Sequence, residues 1–270
     1  MSKGKAVGIV SVKGGVGKTT TVLNLAYILA NLHNKKVAVI DANFSSPNIS
    51  LHLGSLDHDK HLHDVLNNKS KLQEAVYEHP LGFHVVPADI QNQLTKHENL
   101  KNAVNKLKAS YDIILLDSSP TLNSEMAAAL IASDEVYIVS TPDIPTLTTT
   151  LKTAKAAREN NTKVAGLILN KVRNKDYELK PESMERLTGL KLSAVIRDDV
   201  RVLEALNKVN PIAKLSPNSS VSEQYKKLAA NIIGANYVEP KWHQKAVAAI
   251  KDDFVNLTTH KFSKGLNYYK

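Results

Sequence analysis

The sequence of 270 residues contains no cysteine. A disulfide framework, an iron–sulfur cluster and a zinc–thiolate site are therefore excluded. No apolar run is long enough to span a bilayer, and no apolar signal segment opens the chain. Internal repeats and low-complexity linkers are also missing. These absences point to a cytoplasmic protein. What is present suits a globular fold. Apolar residues make up 43% of the chain, near the globular norm, so a sizeable core can form. The length allows one large α/β domain or two small ones. A formal net charge of +9 favours a polyanionic partner, DNA or an anionic membrane surface. The lysines are spread along the chain, however, so a general role in solubility explains the charge equally well.

Apolar runs recur at 6–12, 37–40, 83–86, 113–116, 136–139, 164–169 and 192–196. Most are continuous rather than alternating, as expected for strands buried on both faces. Helical patterns lie between them at 20–32, 98–109, 125–132, 147–160, 201–207 and 221–233. Strands alternating with helices imply an α/β fold with a mostly parallel, helix-flanked sheet. Ligands of such sheets bind at the carboxyl ends of the strands. The composition shifts after Tyr237. Residues 1–237 are expected to form the domain and 238–270 a C-terminal extension, helical over 242–257, with a polar, basic end.

Between the first apolar run and the first helical pattern lies Lys13-Gly14-Gly15-Val16-Gly17-Lys18-Thr19, followed by Thr20. Its six fixed positions recur by chance in a chain of this length with a probability on the order of 10⁻⁵. Gly14, Gly15 and Gly17 lack a Cβ, so the backbone can take positive φ and bring its N–H groups close to a phosphate. A helix starting near Lys18 adds unpaired N–H groups and its positive dipole end. Lys18 is placed to neutralise the β- and γ-phosphates, and the Thr19 hydroxyl to ligate Mg²⁺. The common phosphate-loop pattern wants a glycine six residues before Lys18, where this chain has Val12.

That variant resembles the deviant Walker A loop of the MinD/ParA family of P-loop ATPases. The resemblance implies a P-loop NTPase fold that binds ATP and Mg²⁺ through residues 13–20. It also implies that Lys13 reaches across a nucleotide-sandwich homodimer to the partner's phosphates. The residues alone supply only a cation at the edge of the loop. Asp117-Ser118-Ser119-Pro120 resembles the family's Walker B aspartate and the entry to switch II, and Asp41 resembles the first acidic residue of switch I. A carboxylate after a buried strand, beside a phosphate loop, suits a Mg²⁺ anchor, so Thr19, Asp41 and Asp117 are the expected metal residues. Asn170, after the run 164–169, resembles the residue that reads the adenine edge; an amide offers both a donor and an acceptor. The absence of cysteine sets the chain apart from relatives that hold clusters or metals on thiolates, such as the nitrogenase iron protein, cluster-assembly scaffolds and the arsenite or tail-anchor ATPases.

Two positions depart from the family pattern. Asn43 stands where most members carry the aspartate that positions or deprotonates the attacking water. Arg197, in Ile196-Arg197-Asp198-Asp199, stands where the family has proline. An amide accepts a hydrogen bond but takes no proton near neutral pH. General-base contributions run roughly 10²–10⁴-fold, so hydrolysis is expected to be slow. The overall expectation is an ATP-dependent dimerisation switch with a slow ATPase, working with an activator or adaptor to position a cellular site, cargo or DNA. It is cytoplasmic, with peripheral attachment to a membrane left open. A non-hydrolysing ATP-bound clamp is the alternative, and a BY-type tyrosine kinase, faintly echoed in Tyr268-Tyr269, is a weaker one. Asp57, His58, Asp59, His61, His63 and Asp64 crowd one stretch, which is either a metal site or a solvated loop. Val247, Ile250, Phe254 and Leu257 share a helical face, for a membrane, the domain or a partner.

Overall fold

The apolar runs become the strands of one sheet. In the computed structural model, which describes residues 4–55, 57–89 and 96–238, the strands are β1 (Lys5–Val10), β2 (Val37–Ala42), β3 (Tyr77–His79), β4 (Phe83–Val86), β5 (Ile113–Ser118), β6 (Glu135–Ser140), β7 (Lys163–Val172) and β8 (Leu192–Arg197). They lie in the order β3-β4-β2-β5-β1-β6-β7-β8. Every neighbouring pair is parallel except β3 with β4. The expected α/β sheet is therefore present. The expected C-terminal extension, with its apolar face and Tyr268-Tyr269, lies outside the described residues.

Successive side chains of the central strands serve opposite faces of the sheet. Val7, Ile9, Val37 and Val39 join one core with helices α1 (Lys18–Asn31), α9 (Ile212–Leu215) and α10 (Ser220–Ile233). Ala6, Ala38, Ile40 and Ile114 join the opposite core with α3 (Leu62–Leu66), α4 (Leu100–Leu107) and α5 (Ser124–Ala132). Val10, Ile138 and Leu167 continue that second layer against α5, α6 (Ile144–Glu159) and α7 (Pro181–Thr188). Both faces are covered, which is why these strands read as continuous apolar runs rather than as alternating ones. The helices α2 (Ile49–Leu53) and α8 (Val200–Asn207) stand at the carboxyl end of the sheet. Among the described residues no helix is long and apolar enough to cross a membrane.

The differences from the sequence reading are local. The edge strand β3 has three residues, Tyr-Glu-His, too short and polar to show a period of two. Helices α2, α3 and α9 have five, five and four residues, less than two turns each, so no apolar stripe can repeat. α7 starts on Pro181, which pre-sets the helical φ, and ends before Gly189 in the left-handed region. α6 begins three residues earlier than its apolar pattern because Asp143 caps it, accepting the Thr146 N–H at 2.9 Å.

α1 carries the site and is held on several sides. Its buried polar residues are satisfied: Thr21 Oγ1 donates to the Gly17 carbonyl at 2.8 Å, and Asn24 accepts the Ala213 N–H at 3.0 Å from α9. At the centre of the sheet the fit between β1 and the end of α5 leaves no room for a side chain at Gly8. A Cβ there would lie 2.6 Å from Ser133 Oγ and 2.8 Å from Val136 Cγ1. Gly8→Ala is therefore expected to cost about 1–3 kcal/mol of stability through overpacking, read from the urea midpoint at unchanged slope.

Candidate functional site

The parallel strands of the sheet point their carboxyl ends at one edge, and the motif residues gather there. The chain leaves β1 at Val10 and enters α1 at Lys18. Gly15 and Gly17 hold the turn in the left-handed region, at φ of 73° and 101°. Gly17 is constrained twice, because a Cβ on it would also lie 2.3 Å from Asn170 Nδ2. A Cβ on Gly14 or Gly15 would meet nothing within 4 Å, so the turn opens on free space. α1 has Gly17 as its N-cap, no side-chain cap and no acidic residue in its first turn. Its first N–H groups and its positive dipole end are thus left for an external anion.

Lys18 is 8% exposed and donates to the Lys13 carbonyl at 3.2 Å. Burial pushes its ammonium pKa down, partly offset by the Asp117 carboxylate. Thr19 Oγ1 donates to Asp117 Oδ2 at 2.5 Å. Asp41 and Asp117 are register partners on the adjacent strands β2 and β5, each 1% exposed. Burial raises both carboxyl pKa values, and for Asp41 the facing Asp117 raises it further. Two buried carboxylates side by side call for a cation. Their oxygens differ in what is left over. Asp41 accepts N–H groups from Asn43 at 3.2 Å, Asn48 at 2.9 Å and Ile49 at 3.0 Å, and so folds the segment that follows it. Asp117 keeps Oδ1 buried without a partner. Thr19 and Asp117 therefore fit a small hard cation directly, with Asp41 behind them.

Asn43 is 5% exposed and donates through Nδ2 to the Ser46 carbonyl. Its Oδ1 has no partner. Two residues on, Ser45 donates to Glu125 in the first turn of α5, which ties the loop after Asp41 to the helix after Asp117.

Asn43, Gly14, Gly15 and residues Gly17 to Thr20 border a cleft of about 510 Å³, while Val16 lines a neighbouring hollow. The same cleft is bordered by Asn170, Arg173, Arg197 and the α8 residues Leu203 and Leu206. Asn170 is 6% exposed, and its Nδ2 donates to the Val16 carbonyl at 2.7 Å. Its amide nitrogen is thus spent on holding the loop. Lys171, at φ 58°, donates from Nζ to the Gly15 carbonyl at 2.7 Å.

Lys13 does not border this cleft. It lines a neighbouring hollow of about 310 Å³ with Thr141, Asp143 and Tyr177. Its ammonium pairs with Asp143 Oδ1 at 3.2 Å and donates to Thr146 Oγ1. For Asp143, burial works against the charge. The hydroxyls of Thr141 and Thr146, the Thr146 N–H and Lys13 outweigh it and hold the carboxyl down to about 2. The partner of Lys13 was not evident in the sequence, because Asp143 is 130 residues away and follows no motif. Its one local signal is a capping position ahead of Pro145.

The histidine–aspartate stretch does not converge. His58 lies on the Tyr77 ring at 4.4 Å, and the His61 N–H donates to Asp64 at the start of α3. His63 is buried against Phe44, with Nδ1 accepting the Asp89 N–H at 2.9 Å. Among the described residues no group of three His, Cys, Asp or Glu side chains is placed to hold a metal.

Known proteins share this arrangement. A family profile described as an AAA domain matches residues 4–165. An uncharacterised ATP-binding protein of Methanocaldococcus jannaschii is 31% identical over 97% of this chain and 96% of its own length. The septum site-determining protein MinD of Bacillus subtilis is 28% identical over 86% of this chain and 89% of its own. Among solved structures, the cell division ATPase MinD of Pyrococcus furiosus superposes with a TM-score of 0.81 at 30% identity, covering 86% of this chain and 99% of that one. MinD of Pyrococcus horikoshii, solved with Mg-ADP, superposes at 0.80 with 30% identity, covering 84% and 95%. The chain belongs to the P-loop family that contains the MinD and ParA proteins.

The double constraint on Gly17 yields a direct test. Gly17→Ala forces both a strained φ and a clash with Asn170, and is expected to weaken binding of a fluorescent ATP analogue by at least about tenfold. Circular dichroism should show the helices intact.

Proposed function

We propose that the chain is an ATPase of the MinD/ParA type that pairs around Mg·ATP and releases its partner after hydrolysis. The observation that carries this reading is the uncapped, acid-free start of α1, with the buried Lys18 beside it and the unpartnered Asp117 Oδ1 at the same edge. The N–H groups of residues 14–19 would hold the β- and γ-phosphates, with Lys18 between them. Thr19 and Asp117 would hold Mg²⁺, and Asp41 would keep the loop 43–49 in place behind it. The cation, when bound, neutralises charge that develops on the phosphate oxygens.

Asn43 would accept a hydrogen bond from the attacking water through its free Oδ1. It orients that water and takes no proton from it. Phosphoryl transfer depends mostly on positioning and charge stabilisation, so the reaction runs, slowly. Lys13 lies outside its own cleft and is stored on Asp143, which suits a cation that acts on a partner's phosphates instead. The bond between Ser45 and Glu125 couples the two segments that flank the cation site, so nucleotide state would reach the surface through both together. Positioning of a cellular site, cargo or DNA is the task we assign, with an activator or adaptor protein. The chain would work in the cytoplasm, on DNA or at an anionic membrane surface, and the charge of +9 suits either matrix. The free acceptor of Asn43 also favours a second reading, an ATP-locked clamp with negligible turnover.

Measurable phosphate release by the native chain separates the two readings, and Asn43→Asp tests the role of residue 43 in both. That substitution is expected to raise the single-turnover rate of phosphate release by roughly 10²-fold. An unchanged rate would mean that residue 43 does not limit hydrolysis. Lys13→Ala is expected to leave ATP affinity within about twofold while hydrolysis falls by roughly 10²-fold or more, a split between binding and chemistry that radiolabelled ATP can read.

A further inference from the structure

Two guanidinium groups border the cleft, those of Arg173 and Arg197, and they are differently employed. Arg173, just past β7, is fixed: its Nε lies 2.6 Å from Asp198 Oδ2, and its backbone N–H donates to Glu178 at 2.9 Å. Arg197 ends β8 and is exposed. It also borders the cleft, yet makes no side-chain hydrogen bond and no ion pair among the described residues. The next residues on the chain are spoken for. Asp198 holds Arg173, and Asp199 caps α8 and binds Arg201 in a two-pronged pair with contacts of 2.9 and 2.6 Å.

α8 turns an unusually apolar surface outward at the same place. Leu203 is 67% exposed and Val200 is 66% exposed, and Leu203 borders the cleft together with Val202 and Leu206. A free planar cation and an aliphatic wall thus share one cleft with a loop built for phosphates. A guanidinium stacks on the face of a heteroaromatic ring and is weakly hydrated, so it loses little on being covered. Leucine side chains supply the opposite, apolar contact.

We propose that Arg197 is the base-stacking residue of the nucleotide site, covering one face of a purine whose other face rests on Leu203 and Leu206 of α8. The inference rests on the reading that ATP occupies this cleft. It assigns the discrimination between bases to a stacked guanidinium, with Asn170 committed to the loop through Val16. Arg197 does not touch the reacting phosphates in this account, so it should govern affinity and base preference rather than the chemical step.

The test compares affinities of the full chain and its variants for ATP, CTP and inorganic tripolyphosphate by isothermal titration. Arg197→Ala is expected to weaken ATP by roughly tenfold, CTP by less, and tripolyphosphate by less than about twofold. Arg197→Lys, which keeps the charge but not the plane, is expected to fall nearer to the alanine variant than to the native chain for ATP. An equal loss for ATP and tripolyphosphate would overturn the assignment, because it would make Arg197 a plain phosphate-attracting charge. An unchanged ratio of ATP to CTP affinity would overturn it as well. A native chain that binds tripolyphosphate but shows no preference for ATP would defeat the assignment while leaving the phosphate loop in place. One that binds no triphosphate would defeat the ATPase reading itself.

Discussion

The positive end of α1 is the constraint around which the rest of the site is arranged. A helix of 14 residues begins there with no capping side chain and no carboxylate in its first turn. Its unpaired N–H groups are tolerable only if water or an anion meets them. The fold keeps the nearest acids on the strands beside it instead, where Asp41 and Asp117 face each other in register. Positive and negative groups are thus both present and kept apart. Lys18 and the helix end await an anion, while Asp117 with its spare Oδ1 awaits a cation. A magnesium–triphosphate ligand meets both needs at once, which neither an anion nor a metal alone would do.

The loop itself is held open by contacts that are not chemical participants. Asn170 and Lys171 take the carbonyls of Val16 and Gly15, at 2.7 Å each, so the N–H groups of the loop are turned the other way. Gly17 admits the Asn170 amide at a distance no side chain would allow. The same logic runs through Asp41, whose three backbone partners fold residues 43–49 over the cleft edge. These are positioning interactions. Their loss would be felt as a looser site before it was felt as a loss of fold.

Much of this was legible in the sequence because the relevant signals are local. The loop residues are contiguous, the carboxylates follow buried strands, and continuous apolar runs betray strands covered on both faces. The α/β architecture followed from those runs and the helical patterns between them. The parts that were not legible depend on distant partners. Nothing near Lys13 in the chain announces Asp143, and nothing near Ser45 announces Glu125. Short elements such as β3 and α2 form because the sheet edge and the loop after Asp41 hold them, not because of their own periodicity. The histidines of residues 57–64 looked like ligands by proximity in sequence, but burial and stacking send them to Phe44, Tyr77 and the cap of α3.

Lys13 is the residue on which the proposed function turns, since in that proposal it is what makes a switch of a phosphate cradle. It is held on Asp143 and Thr146, in a hollow that adjoins its own cleft. The most direct measurement is the solution mass of the chain by light scattering with Mg·ATP, with Mg·ADP and without nucleotide. The account predicts twice the monomer mass with Mg·ATP only, and the monomer mass for Lys13→Ala under all three conditions. A native chain that remains monomeric at saturating Mg·ATP, or a Lys13→Ala chain that pairs as well as the native one, would contradict it.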